Sequence, residues 1–233
     1  MKTKILSFTT FILIGLSAAA QYTYNYNAIP VMDYFRIEQM TEEKLTKVLT
    51  EENIEGSPYL EEDFRSGTIY TTAKQKVVDI EIRYNIYNDD LEFKTPDNQI
   101  MAINDPETIE LADFGAYQMS YLPYETGGKV KNAFFKIIEK GTASLYAKPD
   151  VFFQKEEQGD GIKPGKPAQF ISKPDIYYIS VDEQPAIKIN RKKDLLNVFQ
   201  KHEKDIASFM KKNDIKTSDA GQLQELVQYY NTL

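Results

Sequence analysis

Between Gly67 and Phe153, apolar and polar positions alternate in short runs separated by turn residues, a pattern that predicts antiparallel strands. Val78, Ile80, Ile82, Tyr84 and Ile86 alternate with Asp79, Glu81, Arg83 and Asn85, which predicts one apolar and one wet face. Asn88-Asp89-Asp90 turns the chain, Leu91 to Lys94 returns, and Pro96-Asp97-Asn98 forms the next turn before Ile100 to Ile103. Strands are expected over Glu107 to Leu111 and Tyr117 to Tyr124, and Gly127-Gly128 suits a tight turn needing positive φ. Ala133 to Ile138 is apolar on both parities, as in a strand covered on both faces. Ala143 to Ala147 and Val151 to Phe153 close the run, and strand character resumes over Asp175 to Val181 and Ala186 to Ile189.

The flanks carry other periods. Tyr22, Tyr24 and Tyr26 alternate with polar residues, fitting an edge strand or a loose terminal arm. Thr41 can cap a short helix carrying Leu45, Val48 and Leu49 and ending near Asn53, and Gly56-Ser57-Pro58 breaks it. At the other end, Leu195, Phe199, Ile206, Phe209 and Met210 share a helical stripe that Asn190 can cap and Asn213 can stop. Asp219 with Gln222 resembles a capping box ahead of Leu223, Leu226, Val227 and Tyr230. Residues 154–169 hold three glycines, two prolines and several charges, a linker or lid that interrupts the sheet.

The expected fold class is α+β: an antiparallel β-meander forming a curled sheet, half-barrel or small barrel, with a short N-terminal helix and two or three C-terminal helices. The expected organisation is a signal peptide over 1–20, an arm and short helix over 21–66, a β domain over 67–189, and a helical segment over 190–233 packed on it.

The leader reading rests on Lys2 and Lys4, the apolar run Ile5 to Leu16 and the small residues ending at Ala20. That run is shorter than the ~20 residues a bilayer core needs, so no transmembrane segment is expected after cleavage. The 233-residue chain has no cysteine, which excludes thiolate metal sites, thiol nucleophiles and disulfides. Its formal charge is −7, and −9 without the two leader lysines, so attraction to nucleic acid is not expected.

Three stretches resemble a family of uncharacterised exported proteins of Bacteroidota. They are Gly56 to Leu60 with Phe64 and Gly67 to Tyr70; Arg83 to Asp89 with Glu92-Phe93; and Leu226 to Asn231. The resemblance covers most of the chain beyond the leader and implies a periplasmic or cell-surface location, with no activity to carry over. Members often have a proline near position 200, where this chain has Gln200, leaving open whether 190–213 forms one helix or two.

Candidate chemistry is sparse. His202 is the only histidine, and helical periodicity accounts for its place. Asp79, Glu81 and Glu92 on neighbouring strands are the carboxylates closest to a glycoside-hydrolase pairing, although solvated strand-face charges that blunt aggregation explain them better. Gly159-Asp160-Gly161 lacks the ligand pattern of a calcium loop, and no G-x-S-x-G occurs. No catalytic residue, metal ligand or cofactor is therefore assigned. Sixteen tyrosines without a tryptophan are the strongest signal, fitting either sheet packing or a recognition surface. Tyr84, Tyr117, Tyr121, Phe135 and Tyr178 are the candidate ligand-binding positions. The expected function is a non-catalytic envelope protein binding a partner protein or an apolar or amphipathic ligand, with a carbohydrate-active hydrolase or glycan-binding protein as the alternative.

Overall fold

Period-two alternation becomes a large, mostly antiparallel sheet in the computed structural model, which describes residues 25–29, 54–158 and 165–233. The leader, the helix expected from Thr41 to Asn53 and the Gly159-Asp160-Gly161 stretch lie outside the described residues. The strands are β1 (Asn27–Ile29), β2 (Arg65–Thr71), β3 (Gln75–Asn85), β4 (Asp90–Lys94), β5 (Ile100–Ala102) and β6 (Ile109–Asp113). They continue with β7 (Gln118–Thr126), β8 (Lys129–Glu139), β9 (Ala143–Gln154), β10 (Gln169–Val181) and β11 (Ile187–Lys188). Their order is β11-β10-β9-β8-β7-β6-β2-β3-β4-β5, with β1 pairing in parallel against β3.

Two runs of hairpins thus share one sheet. The first leads from β2 to β5, and the chain then crosses back so that β6 lies on the other side of β2 and starts the second. The second run curls on itself: Ala186 N–H donates to the Pro123 carbonyl and Glu125 N–H donates to the Ala186 carbonyl, each at 2.9 Å, which brings the approach to β11 back against β7. The sheet as a whole stays open, with β5 and β11 as its terminal strands.

Side-chain alternation divides the interior into three cores. Ile69, Ile80, Ile82, Tyr84, Leu91, Phe93, Met119 and Phe134 belong to the first, inside the curl of β2 to β8. One residue along, Phe135 faces the opposite way and joins Ala133, Tyr178 and Ala186 inside the β7–β11 curl. Phe134 and Phe135 are both fully buried, which accounts for a β8 that is apolar on both parities. The third core lies between β9–β10 and the helices α1 (Lys192–Val198), α2 (Glu203–Lys212) and α3 (Ala220–Tyr230). As the alternation requires, Tyr177 packs toward this core and Tyr178 toward the second.

Several expectations are corrected. Val78 is 39% exposed, because Asp79 adopts φ +54° and a register shift against β2 turns Val77 inward instead. Of the N-terminal tyrosine run, Tyr22 and Tyr24 lie outside the described residues; Tyr26 stands just ahead of the strand Asn27–Ile29, whose pairing is parallel. Glu157 and Lys166, beyond the paired ends of β9 and β10, bridge the described flanks of the 154–169 stretch. The alternative left open over 190–213 falls to two helices separated by a 3-10 turn, Gln200–His202. The first of them is not capped by the Asn190 side chain; the Asp194 carboxylate accepts the N–H groups of Asn190 (3.0 Å) and Arg191 (2.8 Å). These two bonds hold the Asp194 carboxyl below its usual range.

Asp219 does cap α3, accepting the Gln222 N–H at 3.0 Å. At the far end of that helix, the Asn231 side chain accepts the Ala143 N–H (2.7 Å) and donates to its carbonyl (2.9 Å), imitating a strand partner at the start of β9. This fixes the C-terminal helices to the sheet. No helix among the described residues is long and apolar enough to cross a membrane.

Residues 55–60 form a strap between the two ends of the curl. Glu55 bonds the backbone beside Phe170 on β10, while Pro58 and Leu60 bond the backbone at Tyr84, Ile86 and Tyr87. Gly56 makes this approach possible: a Cβ there would lie 2.2 Å from the Phe170 carbonyl oxygen, and its φ is +77°.

Candidate functional site

The turn between β3 and β4 places Asp89 against the second run of hairpins. Asp89 has φ +59°, a turn conformation that aspartate tolerates better than most residues. Its Oδ1 accepts from the Tyr84 hydroxyl at 2.6 Å, from Lys148 Nζ at 3.0 Å and from the Phe134 N–H at 3.3 Å. Three strands, β3, β8 and β9, therefore converge on one carboxylate. Lys148 Nζ also stands 5.4 Å from the centre of the Phe135 ring, so its charge is held by an anion and an aromatic face together.

Tyrosines surround this pair. Tyr121 packs on Phe134 with ring centres 5.0 Å apart, and Tyr124 meets Phe135 at 5.4 Å and Tyr178 at 5.6 Å, both edge-on. Phe135 and Tyr178 meet at 4.9 Å behind them. Burial and the charges of Asp89, Glu107 and Asp90 push the Tyr121 hydroxyl above its ordinary pKa. Burial and Asp89 do the same for Tyr124, and burial, Tyr124 and Asp150 for Tyr178. All three phenols remain protonated near neutral pH and available as hydrogen-bond donors. The Tyr84 hydroxyl is pushed well above its ordinary value by burial and Asp89.

Of the five candidate tyrosine and phenylalanine positions, Tyr84 bonds Asp89 and Phe135 lies under Lys148, Tyr121 packs on the neighbouring Phe134, and Tyr178 reaches the pair only through Phe135. Tyr84, Phe135 and Tyr178 are buried and form the backing, while Tyr121 is half-buried at the surface with Tyr124. Tyr117 lies elsewhere, stacked on Phe114 at 4.6 Å. Sequence reading missed Lys148 and Tyr124. Lys148 is 59 positions from its carboxylate, a pairing that no local spacing signals.

Asp90 is the site's titrating group. Burial first, then Asp89 and Glu92, raise its pKa to about 6. A carboxylate whose folded pKa lies above its unfolded value destabilises the fold once ionised, so stability should fall as pH rises from about 4 to about 6. Asp90→Asn should therefore stabilise the protein at pH 7–8 by about 1 kcal/mol, after allowance for its partial exposure, and change little near pH 4. Urea titrations of both proteins at the two pH values measure this difference.

The acids considered for hydrolysis do not converge. Asp79 is exposed, Glu81 pairs with Lys94 at 3.5 Å, and the buried Glu92 binds Arg83 at 2.6 Å and Asn85 at 3.1 Å. His202 is half-exposed, 3.9 Å from Asp205 and edge-on to Tyr230 at 5.6 Å. Among the described residues no group of three or more histidine, aspartate or glutamate side chains is arranged to hold a metal ion. What the Asp89 site offers is hydroxyl donors, one ammonium and carboxylates set on aromatic surface, a composition suited to recognition. Comparison with protein-family models, with curated proteins and with solved structures finds no match to this chain.

Proposed function

We propose that this is an exported, non-catalytic protein of the cell envelope that recognises a partner protein or an amphipathic ligand at the Tyr121–Tyr124 rim around Asp89 and Lys148. The observation that carries this reading is a pair of half-buried tyrosines on β7 set on packed rings, Tyr121 on Phe134 of the first core and Tyr124 on Phe135 and Tyr178 of the second. Behind Tyr124 the interior of the β7–β11 curl is filled by Ala133, Phe135, Tyr178 and Ala186. A filled interior favours binding at the rim over a ligand enclosed within the curl. Tyrosines fixed by packing lose little conformational freedom on binding, and their hydroxyls add direction to an apolar contact.

The test uses a rim variant, Tyr121→Ala/Tyr124→Ala, whose backing rings are retained. Wild-type protein should be stabilised by an envelope phospholipid or amphiphile, by about 2.7 kcal/mol at a concentration 100-fold above Kd, or should photo-crosslink through position 124 to an envelope protein. The variant should keep its circular dichroism and lose either response. Absence of both responses in the wild type, or their persistence in the variant, overturns the reading.

A further inference from the structure

The ladder between β8 and β9 stops early. Lys136 pairs with Ala147, but two positions along β9 the same edge carries Pro149, which has no N–H to give to the Phe134 carbonyl, and the Phe134 N–H goes to Asp89 instead. From Phe134 back to Lys129, β8 is paired with β7 alone. Pro123 and Glu125 of β7 turn their backbone groups to Ala186, so their partners Asn132 and Val130 turn N–H and C=O the other way, off the open side of β8. Among the described residues no backbone group meets them there. Val130 is 57% exposed, and Lys129, Lys131 and Asn132 are exposed beside it. Lys129 and Lys131 lie on the face of Tyr124, the cross-strand partner of Lys131, and Val130 lies on the other. Among the described residues neither lysine is ion-paired, in a chain whose formal charge is −7.

We propose that this edge of β8 takes an extended segment of a partner protein as an added strand, with acidic side chains against Lys129 and Lys131 and an apolar one against Val130. This rests on the rim reading above, since Tyr121 and Tyr124 are the β7 partners of Phe134 and Lys131. Val130 and Asn132 offer two donors and two acceptors to the incoming backbone, and Asp89 marks where the addition ends, because it already holds the Phe134 N–H. An edge that is basic at 129 and 131 and apolar at 130 matches a strand in which acidic and apolar residues alternate. A second copy of this chain fits less well. Antiparallel pairing of the edge with itself sets Lys131 against Lys131 or Lys129 of the other copy, or drives Val130 against Phe134, and like charges directly opposed weaken strand pairing. The two lysines thus keep copies of this chain apart while attracting an acidic strand.

The test presents the full chain with a short capped peptide of alternating glutamate and valine, with its lysine–valine counterpart, and with phospholipid vesicles. Fluorescence anisotropy reads peptide binding and nuclear magnetic resonance reads amide exchange. The glutamate peptide should bind, release with added salt and slow exchange at the Val130 and Asn132 amides, while the lysine peptide should not bind. Asn132→Pro removes an N–H that the fold does not use, so it should keep the wild-type urea midpoint and bind the glutamate peptide about tenfold more weakly. Lys129→Glu/Lys131→Glu, which changes only exposed side chains, should exchange the preference for that of the lysine peptide. Equal binding of the two peptides, undiminished binding by a folded Asn132→Pro, or an unchanged preference in the charge-reversed chain overturns strand addition. If Tyr121→Ala/Tyr124→Ala loses the binding in those cases, the rim reading stands without it. A wild type that responds to the vesicles and to neither peptide likewise overturns strand addition and keeps the rim reading. One that responds to none of the three overturns strand addition, and the crosslink through position 124 then decides the rim.

Discussion

Phe135→Ala should lower the unfolding free energy by about 3–5 kcal/mol, the range for removing a buried aromatic ring from a packed core. Phe135 is fully buried, with Tyr178, Tyr124 and Tyr146 edge-on at 4.9, 5.4 and 6.2 Å and Lys148 Nζ over its face at 5.4 Å. Its loss leaves a void that rings held from three other strands cannot close by a simple shift, and it removes the aromatic half of the Lys148 site. Phe135→Leu should lose less, because most of the volume remains. Since the protein has no tryptophan, tyrosine fluorescence and far-ultraviolet circular dichroism would follow urea unfolding, and coincident midpoints would establish a single transition. A loss under 1 kcal/mol would mean that the β7–β11 curl is not packed around this ring. The same variant should also weaken recognition at the rim, since Tyr124 would lose its support.

Much of the scaffold is legible in the sequence because its signals are local. Ile80, Ile82 and Tyr84 are buried as their alternation requires, Ala133-Phe134-Phe135 is covered on both sides, and Asp219 caps its helix. Gly127 and Gly128 take φ values of +56° and +72°, as their turn demands. The positions that escaped reading depend on contacts distant along the chain. Asn85 and Glu92 sit on the side of β3–β4 that alternation marks as wet, yet both are buried. Tyr59 and Phe64, on and just beyond the strap, are drawn over that side by Arg83. Asp79 looks like one more polar position and is a backbone irregularity that moves Val77 inward. The candidate site follows the same rule: an aromatic surface could be expected from sixteen tyrosines, but not the Asp89–Lys148 pair that gathers them. Pairing of that kind is fixed by topology, after the strands are in place.

Arg83→Met should be the most damaging single change on the outer side of the sheet, costing about 3–5 kcal/mol at pH 7 because it leaves a buried carboxylate without its cation. The Arg83 and Glu92 side chains are only 12% and 7% exposed and meet at 2.6 Å. The guanidinium also donates to the Glu62 carbonyl at 2.9 Å and lies 3.5 Å from the centre of the Tyr59 ring and 4.3 Å from that of Phe64. One planar cation therefore joins β3 to β4 and fastens residues 59–64 across both, an arrangement that lysine cannot reproduce, so Arg83→Lys should also be destabilised. In Arg83→Met, Glu92 retains its bond from Asn85 but stays buried without its cation. Arg83→Met/Glu92→Leu, which removes both charges, should be more stable than Arg83→Met alone. Urea titrations of the three variants at pH 7 separate the outcomes. A loss in Arg83→Met that is unrelieved in the double variant would assign the clamp's contribution to ring stacking on Tyr59 and Phe64 instead of to the ion pair.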